Sequence, residues 1–281
     1  MFIALVIVGQ AVEGPPGRSA PLPLPRDELE LRVFDVGQGD AILLRFGDNA
    51  LLVDAGPDPE TAREVLLPRL ARLGVEGLDG LVLTHADADH IGGAADILRA
   101  LPVATVWMAS SSQDHPLLSV IEDAARRGGT WIEEPVDGQA LGWHPAVSVQ
   151  MNIATLSVAS GDNNQSMVLH VRYGESDFLL TGDIERAAER ALVEAVSSLE
   201  VDVLKVAHHG ASTSSSPEFL AAVKPQVAVI SAGLGNAFNH PRDDVLRRLR
   251  AAGAHVYRTD LAGDVVVRTD GHEITVALER S

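Results

Sequence analysis

The chain has 281 residues, of which 46% are hydrophobic and 22% charged, ordinary proportions for a folded protein with a full core that exclude wholesale disorder. Its formal net charge of −17 argues against tight, sequence-independent nucleic-acid binding, which depends on many lysine and arginine contacts to phosphates. The absence of cysteine excludes disulfides and thiol nucleophiles and leaves histidine and carboxylates as the available metal ligands.

The amino-terminal part of the chain differs in composition from the rest. Residues 2–8 form an apolar run too short to span a membrane and without the positive start of a signal peptide. Five prolines follow before residue 26, which is typical of an extended linker. We therefore predict an apolar stub and proline-rich linker at 1–27 and one folded domain at 28–281. The stub is interpreted as the end of a longer hydrophobic segment, a poor signal sequence or a misassigned start.

From residue 29 onward, short apolar runs predict an antiparallel meander, followed by a helix over 60–73 and a buried strand over 78–84. Helices and strands alternate up to residue 133. A second strand-rich stretch begins near residue 147 and gives way to helix and strand alternation after residue 185. Two halves of this kind predict an α/β (α+β) protein with two face-to-face sheets and helices outside, a four-layer αββα sandwich.

Glycine motifs do not indicate a nucleotide cofactor. Gly37 and Gly39 lack the later glycine of a dinucleotide fingerprint, and the chain has no Walker pattern. The serine elbow G-x-S-x-G is also missing from the sequence. Arginines cluster at 242–250, where a solvated helix face is the first interpretation and a binding patch the second.

Four potential metal ligands follow the predicted strand 78–84 within six residues: His85, Asp87, Asp89 and His90. A loop that leaves a strand end can turn all four side chains into one pocket. Helix capping would explain one aspartate, but it would not require four ligands. The segment therefore predicts a metal site.

Further candidate ligands follow two later apolar strands. Asp183 comes directly after the run Phe178 to Leu180, Thr181 and Gly182, and it could equally cap the next helix. His208 and His209 follow the strand that ends near Ala207, and a structural role explains paired histidines less well.

Taken in order, these motifs resemble the metallo-β-lactamase superfamily, and within it the soluble domain of ComEC-type DNA-uptake proteins. The resemblance extends from about residue 31 to residue 271. The motifs that carry it are Asp35-Val36-Gly37-Gln38-Gly39-Asp40-Ala41, Leu52-Val53-Asp54-Ala55-Gly56, residues 85–93, Leu180-Thr181-Gly182-Asp183, residues 205–210 and Asn239-His240-Pro241. The resemblance implies that residues 28–281 are a hydrolase domain of this fold.

The resemblance also implies two divalent metal ions, with His85 and Asp87 on one ion and Asp89 and His90 on the other. Asp183 would bridge them. His208 or His209 would complete the second position: His209 precedes the glycine as in the superfamily, whereas His208 is nearer the strand and is slightly favoured.

Two departures from the wider superfamily affect the first metal position. Asp87 stands where many members have a histidine, and no histidine occurs at 162–166. The first ion would therefore be weakly coordinated. Mixed carboxylate and imidazole ligands suit Mn²⁺ as well as Zn²⁺, so the sequence leaves the metal open.

Further residues are assigned supporting and catalytic roles. Asp89 would orient the attacking hydroxide, and His240 or the unused histidine of the pair would protonate the leaving oxygen, although His240 could also be a loop residue that orders a turn. The residues expected to hydrogen-bond the ligands or to contact substrate are Asp35, Gln38, Asp40, Asn164 and Ser166. A plain polar turn explains Asp35 and Asp40 equally well.

The leading functional hypothesis is a metal-dependent phosphodiester hydrolase, a DNA nuclease of natural transformation that works with a membrane channel subunit or domain. The amino-terminal run fits membrane association and an extracytoplasmic location. One alternative is a phosphodiesterase, resembling phosphorylcholine esterases, of a small or cell-wall substrate. A catalytically weak binding module is the other.

Overall fold

The computed structural model describes residues 5–7, 24–108, 116–153, 162–196 and 198–280. Its strands are β1 (Leu5–Ile7), β2 (Leu29–Val33), β3 (Ile42–Phe46), β4 (Asn49–Val53), β5 (Leu78–Leu83), β6 (Val103–Met108), β7 (Trp131–Glu133), β8 (Ala140–His144), β9 (Val147–Ile153), β10 (Met167–Tyr173), β11 (Ser176–Leu180), β12 (Val203–Lys205), β13 (Val227–Ile230), β14 (His255–Arg258), β15 (Asp264–Thr269) and β16 (Ile274–Glu279).

Its helices are α1 (Pro59–Thr61), α2 (Leu67–Arg72), α3 (Ala88–Ile91), α4 (Ala94–Ala100), α5 (Pro116–Gly128), α6 (Arg186–Ala195), α7 (Pro217–Val223), α8 (Asp243–Ala251) and α9 (Thr259–Ala262). A π-helical turn, Ala62–Leu66, joins α1 to α2. Short 3₁₀ turns lie at Asp162–Gln165 and Ala207–Gly210.

The strands form two sheets. One has the order β1-β16-β15-β2-β3-β4-β5-β6-β7 and the other the order β14-β13-β12-β11-β10-β9-β8. Leu31 and Leu44 of the first sheet share one apolar core with Leu169 and Phe178 of the second. Separate apolar clusters cover the outer faces, with α4 and α5 on the first sheet and α6, α7 and α8 on the second. This arrangement confirms the predicted αββα sandwich.

Both sheets direct their parallel strand ends toward one edge of the sandwich. β4 pairs in parallel with β5, and β11 with β12. The N–H of Met167, at the start of β10, donates to the carbonyl of Thr84 just past β5 at 2.9 Å. The chain segments that leave β4, β5, β11 and β12 therefore meet where the two sheets are joined.

The amino-terminal strand β1 pairs in parallel with β16, with Leu5 opposite Ile274. A piece of the predicted stub is thus an edge strand, although the composition placed the start of folded structure near residue 28. The rest of the stub and most of the linker lie outside the described residues. No helix within the described ranges is both long and apolar enough to cross a membrane.

A network of charged side chains is buried on the outer face of β2. The Glu30 carboxylate accepts hydrogen bonds from Arg45 at 3.0 Å and from Arg268 at 2.8 Å, and it lies 3.3 Å from Nε of Arg32. Arg32 also donates to Glu279 at 2.6 Å. Since these side chains alternate with Leu29, Leu31 and Val33 along β2, one face of the strand is apolar and the other ionic.

Candidate metal centre

The segment after β5 brings its four predicted ligands to the edge where the sheets meet. Asp87 occupies the N-cap position of α3, but its side chain makes no capping hydrogen bond. His85 and His90 are buried, with ring centroids 4.2 Å apart. Nε2 of His85 lies 3.5 Å from Oδ2 of Asp87. The side chain of Asp87 therefore faces His85 and does not cap the helix, but within the described residues Asp87 belongs to none of the groups of candidate ligands that converge within 4.8 Å.

Asp183 reaches the same place from the second sheet. Its backbone N–H donates to Oγ of Ser166 at 3.1 Å, and its buried carboxylate lies 3.3 Å from Nε2 of His90. Helix α6 begins later, with Glu185 at the N-cap position. Asp183 therefore directs its side chain at the histidines and does not cap α6.

The side chains of the two adjacent histidines have different surroundings because of the backbone conformation there. His208 and His209 both have left-handed dihedrals, with φ of 51° and 52°, which turns the chain sharply after β12. Nε2 of the buried His209 lies 3.2 Å from Asp89 and 3.6 Å from Asp183. His208 is 23% exposed, and its Nε2 is 3.9 Å from Asp183. The geometry favours His209 as the ligand, although the sequence slightly favoured His208.

Among the described residues, the side chains form four overlapping groups, and within each group the candidate ligand atoms lie within 4.8 Å of one another. One group is His85, His90 and Asp183, and another is Asp89, His90 and His209. A third group combines Asp40, Asp183 and His209. Shared membership of His90 and Asp183 joins these groups into one centre.

The inward-facing atoms of this centre lack hydrogen-bond partners among the described residues. They are Nε2 of His85, His90 and His209 and Oδ1 of Asp183. Buried polar atoms without partners are costly, and divalent cations bound among these side chains would satisfy them. Imidazole nitrogens and carboxylate oxygens are ligands of both Zn²⁺ and Mn²⁺. The residues present thus fit a divalent metal site.

The Nδ1 atoms of the same three histidines each contact an oxygen atom of a neighbouring residue. Nδ1 of His209 donates to the carbonyl of Ser231 at 3.0 Å, and Nδ1 of His90 lies 2.7 Å from Oδ2 of Asp54. Nδ1 of His85 lies 3.1 Å from Oγ1 of Thr84. A histidine that donates through Nδ1 presents the lone pair of Nε2, so these contacts orient the rings for metal binding.

Electrostatics at the centre is dominated by the close approach of imidazoles and carboxylates. Burial disfavours the imidazolium form of His90, but the neighbouring Asp183 and Asp54 carboxylates raise its pKa well above the ordinary value. Burial likewise opposes ionisation of Asp183, yet His209 and His90 hold the pKa of this carboxyl well below its ordinary value. The pocket therefore concentrates negative charge that attracts a cation, or protons in its place.

Asp54 is a site residue that the sequence reasoning missed. Its carboxylate contacts His90 and also accepts hydrogen bonds from the N–H and the hydroxyl of Thr84 at 2.8 and 2.7 Å. Asp54 directly follows β4, next to β5 in the sheet. Its position in the motif 52–56, directly after an apolar strand, is the feature of the sequence that could have identified it as a site residue.

Asp40 supports the centre from the loop between β2 and β3. Its carboxylate accepts from the buried Lys205 ammonium at 2.6 Å and lies 3.5 Å from Nδ1 of His209. Its N–H donates to the carbonyl of Asp89 at 3.1 Å. A side chain at Gly39 would place Cβ 2.2 Å from that carbonyl, which explains why glycine precedes Asp40. Asp40 therefore holds both Asp89 and His209 in place.

The other predicted supporting residues have more local contacts. Oδ1 of Asp35 accepts from the N–H of Gly37 at 3.4 Å, as in a polar turn. Gln38 accepts from the N–H of Gly233 at 3.3 Å. Asn164 accepts from the N–H groups of Glu185 and Ala188 at the start of α6. Ser166 contacts a ligand residue directly, because its hydroxyl accepts from the backbone N–H of Asp183.

His240 lies beside the centre. Its ring centroid is 5.6 Å from that of His208 and 5.8 Å from that of Phe238. Burial, followed by the neighbouring His208 and His209 rings, lowers the pKa of His240 to about 4. The role of His240 as the proton donor to the leaving oxygen stays a prediction.

Comparisons with known proteins agree with this geometry. The family model described as the metallo-beta-lactamase superfamily matches residues 34–233. The chain is 33% identical to ComE operon protein 3 of Bacillus subtilis and 36% identical to competence protein ComA of Neisseria gonorrhoeae. Each match covers 86% of this chain and 33% of the relative, so the chain spans about a third of the length of these curated relatives.

Solved structures share the fold at low sequence identity. The protein YhfI of Bacillus subtilis superposes with a TM-score of 0.56 at 13% identity, over 86% of this chain and 100% of that one. CmlA, a diiron beta-hydroxylase from Streptomyces venezuelae, gives a TM-score of 0.58 at 17% identity, over 88% of this chain and 55% of that one. Proteins that share a fold can catalyse different reactions. These structures therefore establish the fold, and the reaction must be inferred from the residues of the site.

Proposed function

Because the chain belongs to the metallo-β-lactamase superfamily, we propose that it is a metal-dependent hydrolase of phosphodiester bonds and that its substrate is DNA. The observation that carries the proposal is the set of three buried histidines with Nδ1 bonded outward and Nε2 unpartnered beside Asp183. Such a set binds divalent cations, which act as Lewis acids on phosphate oxygens and make water more acidic.

We assign the residues to two cation positions, as the family resemblance implies. His85, Asp87 and Asp183 would hold one cation, and Asp89, His90 and His209 the other, with Asp183 shared. Asp87 and Asp89 are 47% and 31% exposed, whereas Asp183 is buried, so solvent reaches the centre on their side. Burial opposes ionisation of Asp89, but the neighbouring His209 and His90 rings lower its pKa, which keeps it a carboxylate. We assign Asp89 the hydrogen bond that orients the attacking water.

The names of the relatives support DNA as the substrate. Two are a competence protein and a ComE operon protein, and recombination protein 2 of Haemophilus influenzae is 32% identical over 87% of this chain and 29% of its own length. We propose that this domain cleaves DNA during uptake, outside the cytoplasm, together with a membrane channel subunit or domain.

The net charge of −17 favours a second candidate, hydrolysis of a small or cell-wall phosphodiester, because DNA is itself an anion. A third candidate, a catalytically weak binding module, is favoured by the exposure of Asp87 and by the missing histidine at 162–166.

These candidates are separated by one set of assays. The protein is stripped of metal, reloaded with Mn²⁺ or Zn²⁺ and given labelled single-stranded DNA, double-stranded DNA and bis-nitrophenyl phosphate at low salt. We expect DNA cleavage that Asp89→Ala abolishes and Asp177→Asn preserves. Turnover of bis-nitrophenyl phosphate without DNA cleavage would favour the small substrate. A protein that binds no metal and shows no activity would favour the binding module.

A further inference from the structure

A rigid loop, residues 233–240, borders the metal centre. The side-chain amide of Asn236 donates to the carbonyls of Gly233 at 2.9 Å and His240 at 2.6 Å, and its oxygen accepts from the N–H of His240 at 3.0 Å. The N–H of Gly233 also donates to Gln38 of the neighbouring loop. These bonds tie the two ends of the loop together through Asn236 and so define the path of its backbone.

Two large apolar side chains of this loop face solvent. Phe238 is 60% exposed and Leu234 is 80% exposed. An exposed aromatic ring on a hydrogen-bonded loop contributes little to folding, because most of its surface stays in water. The ring of Phe238 is therefore available for a ligand.

The exposed ring is connected to the metal centre by a short series of rings. Phe238 stacks on His240 with an interplanar angle of 26° and a centroid distance of 5.8 Å. His240 meets His208 edge to face at 5.6 Å, and Nε2 of His208 lies 3.9 Å from Asp183. Phe238, His240 and His208 thus form a continuous series of rings that ends beside Asp183 of the metal centre.

One exposed arginine follows the loop. Arg242 is the N-cap residue of α8, and its backbone N–H donates to the carbonyl of Gly210, directly after His209, at 3.0 Å. An exposed aromatic ring and an exposed cation therefore lie on the same stretch of chain beside the metal centre, although the chain as a whole is acidic. Single-stranded nucleic acid, with bases that stack and phosphates that pair with arginine, has the complementary chemistry.

We propose that Phe238 is a specificity-determining residue on which a nucleobase of a single DNA strand stacks while a neighbouring phosphate lies at the metal centre. This inference rests on the proposed function. Bases in a duplex are already stacked on both faces, so a platform of this kind selects single-stranded over double-stranded substrate. Arg242 contacts a backbone phosphate of the same strand.

The test uses the metal-loaded wild-type protein and Phe238→Leu, Phe238→Trp and Trp131→Leu variants. Trp131 is the matched control, because it is an exposed aromatic residue on the edge strand β7 of the other sheet. Substrates are an oligothymidylate strand and a strand of equal length without bases, each assayed for KM and kcat. A 2-aminopurine strand reports stacking by fluorescence quenching.

We expect Phe238→Leu to raise KM for the base-bearing strand by about tenfold, within the range of roughly 5- to 150-fold that one base–aromatic stack provides. Its preference for the base-bearing over the base-free strand should fall by the same factor, and 2-aminopurine quenching should be lost. The Phe238→Trp and Trp131→Leu variants should retain the wild-type strand preference and the 2-aminopurine quenching.

Three results would overturn the inference: equal KM for both strands in the wild-type protein, a Phe238→Leu variant as selective as wild type, or self-association that Phe238→Leu abolishes. Circular dichroism excludes misfolding of the variants. Failure of the proposed function is distinguishable, because the wild-type protein would then cleave neither strand with any metal.

Discussion

Oδ2 of Asp54 lies 2.7 Å from Nδ1 of His90, and Nε2 of the same ring faces Asp183 at 3.3 Å. The imidazole is thus held between a carboxylate that orients it and a carboxylate that would share its metal. Such outer carboxylates typically contribute 10- to 100-fold to metal affinity.

Asp54→Asn should therefore weaken binding of the tighter Zn²⁺ or Mn²⁺ ion by about tenfold or more, because the variant loses the charge that makes His90 a better ligand. Competition with a chelating dye measures the affinity. Asp177→Asn is the matched control, since Asp177 pairs with His170 at 2.8 Å at the opposite end of β11. Equal affinities in the two variants would refute the role of Asp54.

The two adjacent histidines should behave differently when removed. His209→Ala takes away a buried nitrogen near Asp89 and Asp183, so one metal equivalent should be lost. His208→Ala removes a partly exposed ring and should keep the metal content of the wild-type protein. Elemental analysis of both dialysed proteins checks the assignment, and a metal loss confined to His208→Ala would reverse it.

The metal position of His85 and Asp87 should be the weaker one. Asp87 is 47% exposed and stands where many family members have a histidine, so solvent competes for this site. Titration of metal-free protein with Zn²⁺ should show two unequal affinities, and Asp87→His should strengthen only the weaker. If Asp87→Ala leaves the weaker affinity unchanged, Asp87 is no ligand.

The buried network around Glu30 should make stability depend on pH. Burial alone would raise the pKa of Glu30, but Arg32, Arg45 and Arg268 lower it below the ordinary value of 4.5. Since the folded-state pKa is depressed, this stabilisation is present above pH 4.5 and is lost as pH falls through the folded-state pKa.

Glu30→Gln should therefore cost about 3–5 kcal/mol of unfolding free energy at neutral pH, because three arginines lose their carboxylate. The difference from wild type should shrink in acid. Urea unfolding at both pH values measures it. Glu122→Gln, which breaks an exposed pair with Arg126, should cost no more than about 1 kcal/mol. If the loss of unfolding free energy in Glu30→Gln were the same at both pH values, the electrostatic explanation would be contradicted.

Much of the fold could be predicted from sequence because local patterns determine it. Apolar runs with turn residues between them mark the strands, and the segment 85–90 follows one such run directly. Asp183 and the histidine pair likewise follow strands, so their convergence could be expected once two sheets were assumed.

Other features depend on conformation or on contacts distant in sequence. The choice of His209 over His208 depends on two left-handed residues that no sequence spacing reveals. Asp54 reaches His90 because β4 and β5 are neighbours, although 36 residues separate the two. Alternation in β2 shows that Glu30 and Leu31 point to opposite faces, but it does not show that arginines from two other strands, Arg45 of β3 and Arg268 of β15, cover the carboxylate.

The most direct test of the account is the rate of single-stranded DNA cleavage as a function of Mn²⁺ concentration, measured for the wild-type protein and Asp183→Asn. Asp183 is shared by both metal positions, so the account predicts saturable, chelator-sensitive cleavage by the wild-type protein and a loss of at least about 100-fold in the variant. Cleavage by Asp183→Asn at the wild-type rate, or cleavage by the wild-type protein that a chelator does not inhibit, would contradict the proposed metal-dependent mechanism.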